Sequence, residues 1–266
     1  MDIRYLESKA REIRLATLEM VLKAGSGHLG GSYSATDILV ALYYNAMRIE
    51  SKDDRDRFVL SKGHAIPALY SILIDKEYLP NEAKSTLRVF GSALQGHPDS
   101  AKCPALDCST GSLGQGISVA VGMAMGLKRA GSDKRVFVLT GDGELDEGIC
   151  WEAFMSAASF KLDNLVVIVD RNGLQLSGGT ESIMRLESLK AKMEAFGFDA
   201  EEIDGHSMEA LLPALDKRVE GKPRCIIAKT VKGKGVSYME NKAEWHGAMP
   251  KPEEVEIARR ELGGVV

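Results

Sequence analysis

The sequence predicts an α/β fold, a mainly parallel sheet with helices on both faces. Short β-rich runs alternate with helical segments along the whole chain, the pattern of a parallel sheet covered on both sides. The two strongest runs, Val136-Phe137-Val138-Leu139-Thr140 and Leu165-Val166-Val167-Ile168-Val169, bracket a helical segment and read as a βαβ unit. Each run ends in an acid or amide beside glycine: Gly141-Asp142-Gly143 after the first, Asp170-Arg171-Asn172-Gly173 after the second. That places oxygen donors at the carboxyl ends of strands, where open α/β sheets bind ligands. No internal repeat or low-complexity linker interrupts the chain, so one domain over 1–266 is the simplest organisation.

The elements follow in order. Residues 3–24 predict a helix, with Ile13, Ala16, Met20 and Ala24 on one face and Leu15, Leu18 and Leu22 widening it. The glycine-dense Gly25-Ser26-Gly27-His28-Leu29-Gly30-Gly31 predicts a loop with exposed backbone N–H groups. Ser34 then predicts the cap of a helix over about 35–47. A short strand at 56–61 leads through Lys62-Gly63-His64 to a helix over 67–76. Residues 77–112, punctuated by Pro80, Gly91, Gly96, Pro98 and Pro104, predict an irregular stretch, and one this long inside a compact domain is usually functional. A helix from about 116 to 130 carries alternating small residues suited to close packing. Beyond the βαβ unit come a helix at 183–196, a strand at 198–203, a helix at 207–219 broken in pattern by Pro213, a strand at 224–230 and a charged helix at 252–262.

Composition narrows the function. With 266 residues, a net charge of −4, 44% hydrophobic and 27% charged residues, the chain is an ordinary soluble globular protein rather than a non-specific nucleic-acid binder. The charged N-terminus lacks a signal peptide's apolar core, and no apolar run approaches a membrane span. Cys103, Cys108, Cys150 and Cys225 form no CxxC pair and read as reduced thiols in a cytoplasmic protein.

The chemistry-bearing residues are oxygens, glycines and histidines. Asp142 and Asn172 suit a hard divalent cation, and Gly141 and Gly143 allow close backbone approach to a phosphate. No GxxxxGK[ST] occurs, which argues against a P-loop nucleotide site. All five histidines adjoin a glycine, and His28, His64, His97 and His246 sit in loops of similar character. Their shared use is hydrogen bonding and proton transfer near neutral pH; no HxH or HxxxH spacing marks a zinc site. His206, after Asp204-Gly205 and before a helix, reads as structural capping. Glu147 reads either as a carboxylate early in the following helix, favoured by its dipole, or as one that orients another acid. No GxSxG or histidine-paired cysteine supplies a nucleophile, so the chemistry falls to a bound cofactor.

These motifs together resemble the thiamine diphosphate-binding N-terminal part of transketolases. The resemblance rests on Gly141-Asp142-Gly143 with Asn172-Gly173, and on Ser26-Gly27-His28, Asp56-Arg57-Phe58-Val59-Leu60-Ser61-Lys62-Gly63-His64 and Gly96-His97-Pro98. Thr110-Gly111-Ser112-Leu113-Gly114-Gln115-Gly116, Ile203-Asp204-Gly205-His206, Gly233-Lys234-Gly235 and His246-Gly247-Ala248 extend it over essentially the whole chain. It implies that Asp142, Asn172 and the Leu174 carbonyl hold Mg2+ (or Ca2+ or Mn2+), and that Gly143 and His64 contact the diphosphate with His246 beside it. Gly111 and Leu113 would meet the aminopyrimidine, and Leu176 the thiazolium. His28, His97 and His246 would bind sugar hydroxyls and assist proton transfer, and Glu147 would meet the catalytic glutamate of a partner chain.

Transketolases are much longer, whereas this sequence stops soon after His246. The resemblance therefore implies a split enzyme. A second, C-terminal subunit would bring the pyrimidine-binding half and most sugar-phosphate ligands, in an α2β2 assembly. The implied reaction is reversible transfer of a two-carbon ketol unit between sugar phosphates, with ordinary pentose phosphates as the default substrates. Two alternatives stand beside it. One is a subunit of another thiamine enzyme, such as a 2-oxoacid dehydrogenase or a deoxyxylulose-phosphate-type synthase. The other is a non-catalytic metal- or nucleotide-binding module. The four loop histidines match ketol transfer better than the first, and the complete cofactor motif weighs against the second.

Overall fold

The computed structural model describes residues 2–49, 51 and 54–264. Helix α1 (Ile3–Ala24) starts on Asp2, whose side chain accepts from the Arg4 N–H, and stops at Gly25, which turns left-handed at φ 67°. Helix α2 (Leu29–Ala41) follows and is buried along its whole length, then continues as a π-helical turn, Leu42–Ala46. The expected loop and Ser34 cap are corrected here: α2 begins six residues earlier than predicted and runs through Gly30 and Gly31.

The reason is packing. A Cβ on Gly30 would stand 2.6 Å from the Trp245 carbonyl oxygen, and one on Gly31 3.1 Å from His64 Nε2. The glycines are there to let the helix approach its neighbours, and burial outweighs their poor helix propensity. Ser34 lies inside the helix, where its hydroxyl donates to the Asp170 carboxylate at 2.6 Å.

The central sheet has five parallel strands in the order β1-β2-β3-β7-β6: β1 (Arg57–Leu60), β2 (Val136–Gly141), β3 (Leu165–Arg171), β6 (Asp199–Asp204) and β7 (Arg224–Lys229). A two-strand hairpin, β4 (Leu174–Gln175) and β5 (Gly178–Gly179), follows β3 directly. The predicted βαβ unit is β2, helix α5 (Gly148–Ser159) and β3.

Each sheet face carries its own core. Val166 and Ile168 of β3 join Phe137, Leu139 and Ile226 beneath α1, α2, α3 (Ile66–Asp75), α8 (Met208–Asp216) and α9 (Pro252–Glu261). Leu165, Val167 and Val169 join Val136, Val138 and Ile227 beneath α4 (Gln115–Arg129), α5 and α7 (Leu189–Ala195). Alternate residues of one strand thus serve opposite cores, which is why these strands read as continuous apolar runs.

Residues 77–112 are irregular apart from one 3-10 turn, Asn81–Ser85. The helix expected at 183–196 is realised only as α7, capped by Ser188; a separate short helix, α6 (Thr180–Ile183), ends where the expected one begins. The extended stretch between them delivers Leu186, 2% exposed, to the second core. The hairpin β4–β5 escapes sequence reading because two-residue strands with glycines carry no periodicity. Helix α8 ends at Asp216, three residues before its predicted end, and tolerates Pro213 on its exposed side.

Candidate functional site

Three neighbouring parallel strands open at the same edge of the sheet. Past Leu60 of β1 the chain continues into Ser61-Lys62-Gly63-His64; β2 ends at Gly141 before Asp142 and Gly143; β3 ends at Arg171 before Asn172. The registers Leu60 to Leu139 and Gly141 to Asp170 bring these ends side by side. They floor a cleft of about 420 Å³. The irregular stretch contributes His97 and Gly111 to its lining, the turn before α4 contributes Leu113, the start of α2 contributes His28, the hairpin contributes Leu174 and Leu176, and the chain before α9 contributes His246. Every candidate named from the sequence lines this one cleft: His28, His64, His97, Gly111, Leu113, Asp142, Gly143, Glu147, Asn172, Leu174, Leu176 and His246.

One side of the cleft is acidic. Asp142, 1% exposed, accepts from the Gly143 N–H at 2.8 Å, the Gly173 N–H at 2.6 Å and Arg171 at 3.2 Å. Burial, followed by the nearby Asp170 charge, nevertheless pushes its carboxyl pKa up from the ordinary value. The carboxylate therefore sits where an added cation would stabilise it. Asn172 Oδ1 accepts from the Leu174 N–H at 3.0 Å and so turns the chain into the hairpin. Among the described residues no group of three His, Cys, Asp or Glu forms a cation cage. A carboxylate, an amide and a backbone carbonyl are instead the hard, mostly neutral donors of a metal that shares its remaining positions with phosphate oxygens.

The other side is basic. Lys62 is 1% exposed and ion-pairs with the fully buried Asp170, which also accepts from Ser34 and Thr230. Burial alone would raise the Asp170 pKa, but Lys62 and these hydroxyls outweigh it and hold the group below the ordinary carboxylate value. Lys232 is as deeply buried yet has no carboxylate partner among the described residues; its ammonium meets His246 Nδ1 at 3.4 Å. Burial, then repulsion from Lys62, lowers its pKa to about 8. Asp142 and Asp170 attract this ammonium without forming an ion pair with it, so much of its burial cost is left for an arriving anion to offset. Close by, Gln175 Oε1 is buried without a hydrogen-bond partner. Lys232 and Asp142 are a fit for a metal-bound diphosphate, the ammonium for its oxygens and the carboxylate for its metal.

The four loop histidines meet across the cleft. Ring centroids lie 4.9 Å apart for His64 and His246, 5.2 Å for His28 and His246, 5.4 Å for His28 and His64, and 6.2 Å for His28 and His97. Burial first, then the neighbouring imidazoles and cations, brings His28 to about pKa 4; burial, Lys232 and Lys62 bring His246 to about 4. His64 is pushed well below its ordinary value by burial and Lys62, and His97 is lowered by burial and Arg88. All four shifts favour the neutral imidazole near pH 7, the form suited to hydrogen bonding without charge.

The glycines beside them have a packing role. A Cβ at Gly27 would meet Val21 at 2.7 Å, at Gly63 Thr110 at 2.8 Å, and at Gly96 the Arg88 guanidinium at 3.1 Å. Gly247 has no such constraint.

Two expectations need correction. Glu147 precedes α5 in extended backbone rather than lying early in the helix; the 3-10 turn Gly143–Asp146 takes up the intervening residues. His206 is structural but caps nothing: Ser207 caps α8, while the imidazole bridges Asp37 at 2.6 Å and accepts from the Val231 N–H at 2.8 Å.

Sequence reasoning misses Lys62, Lys232, Gln175 and Glu144. Glu144 is 2% exposed and ties the cleft wall together, accepting from Ser61, Thr140 and the Gly114 and Gly141 N–H groups. Its one signal is adjacency to Gly141-Asp142-Gly143, as that of Lys62 is adjacency to Gly63-His64. Lys232 directly precedes Gly233-Lys234-Gly235 and Gln175 lies between Leu174 and Leu176, but nothing local marks either side chain as buried in the cleft.

Residues 6–265 match the family model described as transketolase, thiamine diphosphate binding domain. The chain belongs to the transketolase family. Its thiamine diphosphate-binding domain is 44% identical to one of the apulose-4-phosphate transketolase subunits, that of Phocaeicola vulgatus, over 98% of this chain and 95% of that one. It is 43% identical to the 6-deoxy-6-sulfo-D-fructose transketolase subunit SqwG of a Clostridium species, over 91% and 90% of the two chains. The crystal structure of the Campylobacter jejuni transketolase superposes with a TM-score of 0.93 at 36% identity, covering 99% of this chain and 43% of that one. The chain thus spans under half the length of the solved transketolase. The fold expected from sequence is the one found.

Proposed function

We propose that this chain is the cofactor-anchoring subunit of a two-chain transketolase. In this reading it moves a two-carbon ketol unit from a ketose phosphate to an aldose phosphate. The observation that carries the proposal is the cleft itself: one sheet edge gathers an oxygen-donor set, a buried ammonium with no carboxylate partner among the described residues, and four clustered histidines. The 44% and 43% identity to two relatives named as transketolase subunits supports the two-chain form.

Bound thiamine diphosphate supplies the carbanion chemistry that breaks and forms the carbon–carbon bond. The protein's part is anchoring and proton handling. Asp142, Asn172 and the Leu174 carbonyl hold a divalent metal, Mg2+ in the simplest case. Lys232, His64 and the Gly143 backbone meet the diphosphate, and Gly111 and Leu113 meet the aminopyrimidine. Leu176, 70% exposed, presents an apolar side chain where a ring or the second chain can cover it. His28, His97 and His246 donate hydrogen bonds to sugar oxygens and move protons between them. Glu147, exposed at the cleft rim, faces the second chain.

The second chain would contribute the pyrimidine-binding half of the site in an α2β2 assembly. Pentose phosphates are the default substrates, and the sugars named for the two relatives, apulose-4-phosphate and 6-deoxy-6-sulfo-D-fructose, are the specialised ones to test beside them. Four free cysteines support a cytoplasmic protein. Among the described residues no helix is long and apolar enough to cross a membrane.

The test is reconstitution. This chain, a candidate second subunit, thiamine diphosphate and Mg2+ are assayed for ketose-plus-aldose exchange and for 2-oxoacid decarboxylation. Exchange that needs both chains supports the proposal; decarboxylation in its place, or full exchange by this chain alone, overturns it.

A further inference from the structure

Arg88 is the single exposed cation in hydrogen-bond contact with one of the cleft histidines among the described residues. One guanidinium nitrogen lies 3.2 Å from His28 Nδ1 and another donates to Ser26 Oγ at 3.4 Å. Its backbone is left-handed, φ 60°, an arrangement that costs a residue with a side chain and that is held here by the Arg88 N–H bond to the Leu94 carbonyl at 2.8 Å. Gly96 leaves the room the guanidinium occupies, since a Cβ there would stand 3.1 Å from it.

A guanidinium has donors and no acceptor. His28 Nδ1 must therefore accept, and in a neutral imidazole the one ring proton is then on Nε2. Nε2 has no protein partner among the described residues, and His28 lines the cleft. We infer that Arg88 is a positioning residue that locks His28 in its Nε2–H tautomer, so that this N–H stands ready as a hydrogen-bond donor to a substrate oxygen. The inference rests on the ketol-transfer reading for the identity of that oxygen, but the tautomer itself does not depend on it. The low proton affinity of His28 agrees, because a ring that stayed protonated would have no tautomer to select.

The test reads the tautomer directly. The 15N shifts of the histidine rings are recorded on the full chain without cofactor, with His28→Asn identifying the His28 signals among the five histidines. The expected result is an unprotonated Nδ1 and a protonated Nε2 in the native protein, and a mixture of tautomers in Arg88→Gln. Arg88→Gly relieves the left-handed backbone while removing the guanidinium, so it should melt no lower than the native chain and still lose the tautomer preference. In the reconstituted complex Arg88→Gln should lower kcat/KM about 10- to 100-fold, the usual effect of losing a group that orients a functional histidine. Thiamine diphosphate affinity should stay unchanged. A protonated Nδ1 in the native chain, or a tautomer unaffected by either substitution, overturns the inference while leaving ketol transfer standing. Absence of exchange in the native complex would instead overturn ketol transfer and leave the tautomer result intact.

Discussion

Lys62 and Asp170 form an ion pair that solvent does not reach, and it ties the end of β1 to the end of β3 directly beneath the cleft. The Lys62 ammonium also donates to the Gly31 carbonyl at 3.1 Å, which joins the first turn of α2 to the same point. Removing one member of such a pair strands the other in a low-dielectric interior. Lys62→Met should therefore destabilise the chain by about 3–5 kcal/mol, measured by urea unfolding. The double substitution with Asp170→Leu should recover part of that loss, and an exposed pair would show neither effect.

Lys232 should behave in the opposite way. Its ammonium is buried without a carboxylate partner among the described residues, so Lys232→Met should leave the chain alone as stable or more stable. The same change should weaken thiamine diphosphate binding by on the order of 2–4 kcal/mol, as expected when one partner of a buried charge contact is lost. Calorimetric binding to the reconstituted complex and thermal melts of the chain alone separate the two effects. A large loss of stability in the chain alone would show that Lys232 has a structural counter-ion.

The histidines predict the acid limb of stability. His28 and His246 both titrate near 4 in the folded chain, below the ordinary value of 6.5. Between those values the unfolded chain binds more protons, so stability is full above pH 6.5 and falls as pH drops toward 4. Melting temperatures measured from about pH 7.5 to about pH 4.5 should decline. The pair of changes His28→Asn and His246→Asn should flatten part of that decline. An unchanged slope in the double variant would mean that these rings are protonated in the native state.

Gly30 tests how the cleft is packed. Alanine is the better helix former by about 1 kcal/mol, so local propensity predicts a gain from Gly30→Ala. The structure predicts a loss, because the new Cβ would stand 2.6 Å from the Trp245 carbonyl. Overpacking of this kind costs about 1–3 kcal/mol, and here it would also displace the neighbouring His246. Urea unfolding gives the sign directly.

That position also shows where sequence reading stops. The five strands of the central sheet, their order along the chain and the oxygen donors at their ends are legible, because period and composition are local and parallel strands place their carboxyl ends at one edge. The cluster of four histidines is legible as four similar loops, though only the fold shows His28 within 6.2 Å of the other three. Gly30 and Gly31 read as a loop because the residues that require them, Trp245 and His64, are distant in sequence. Lys232 escapes for the same cause: a buried lysine that lacks a carboxylate partner among the described residues can be recognised only when its surroundings are known.

Asp142 carries the cofactor reading most directly. The decisive measurement is thiamine diphosphate affinity and ketol exchange in the reconstituted complex, native against Asp142→Ala, with and without Mg2+. The expected result is Mg2+-dependent binding in the native complex, and in the variant a loss of both binding and exchange of at least about 100-fold, the scale of one buried charged contact. Undiminished cofactor-dependent exchange in Asp142→Ala would contradict the role assigned to this carboxylate.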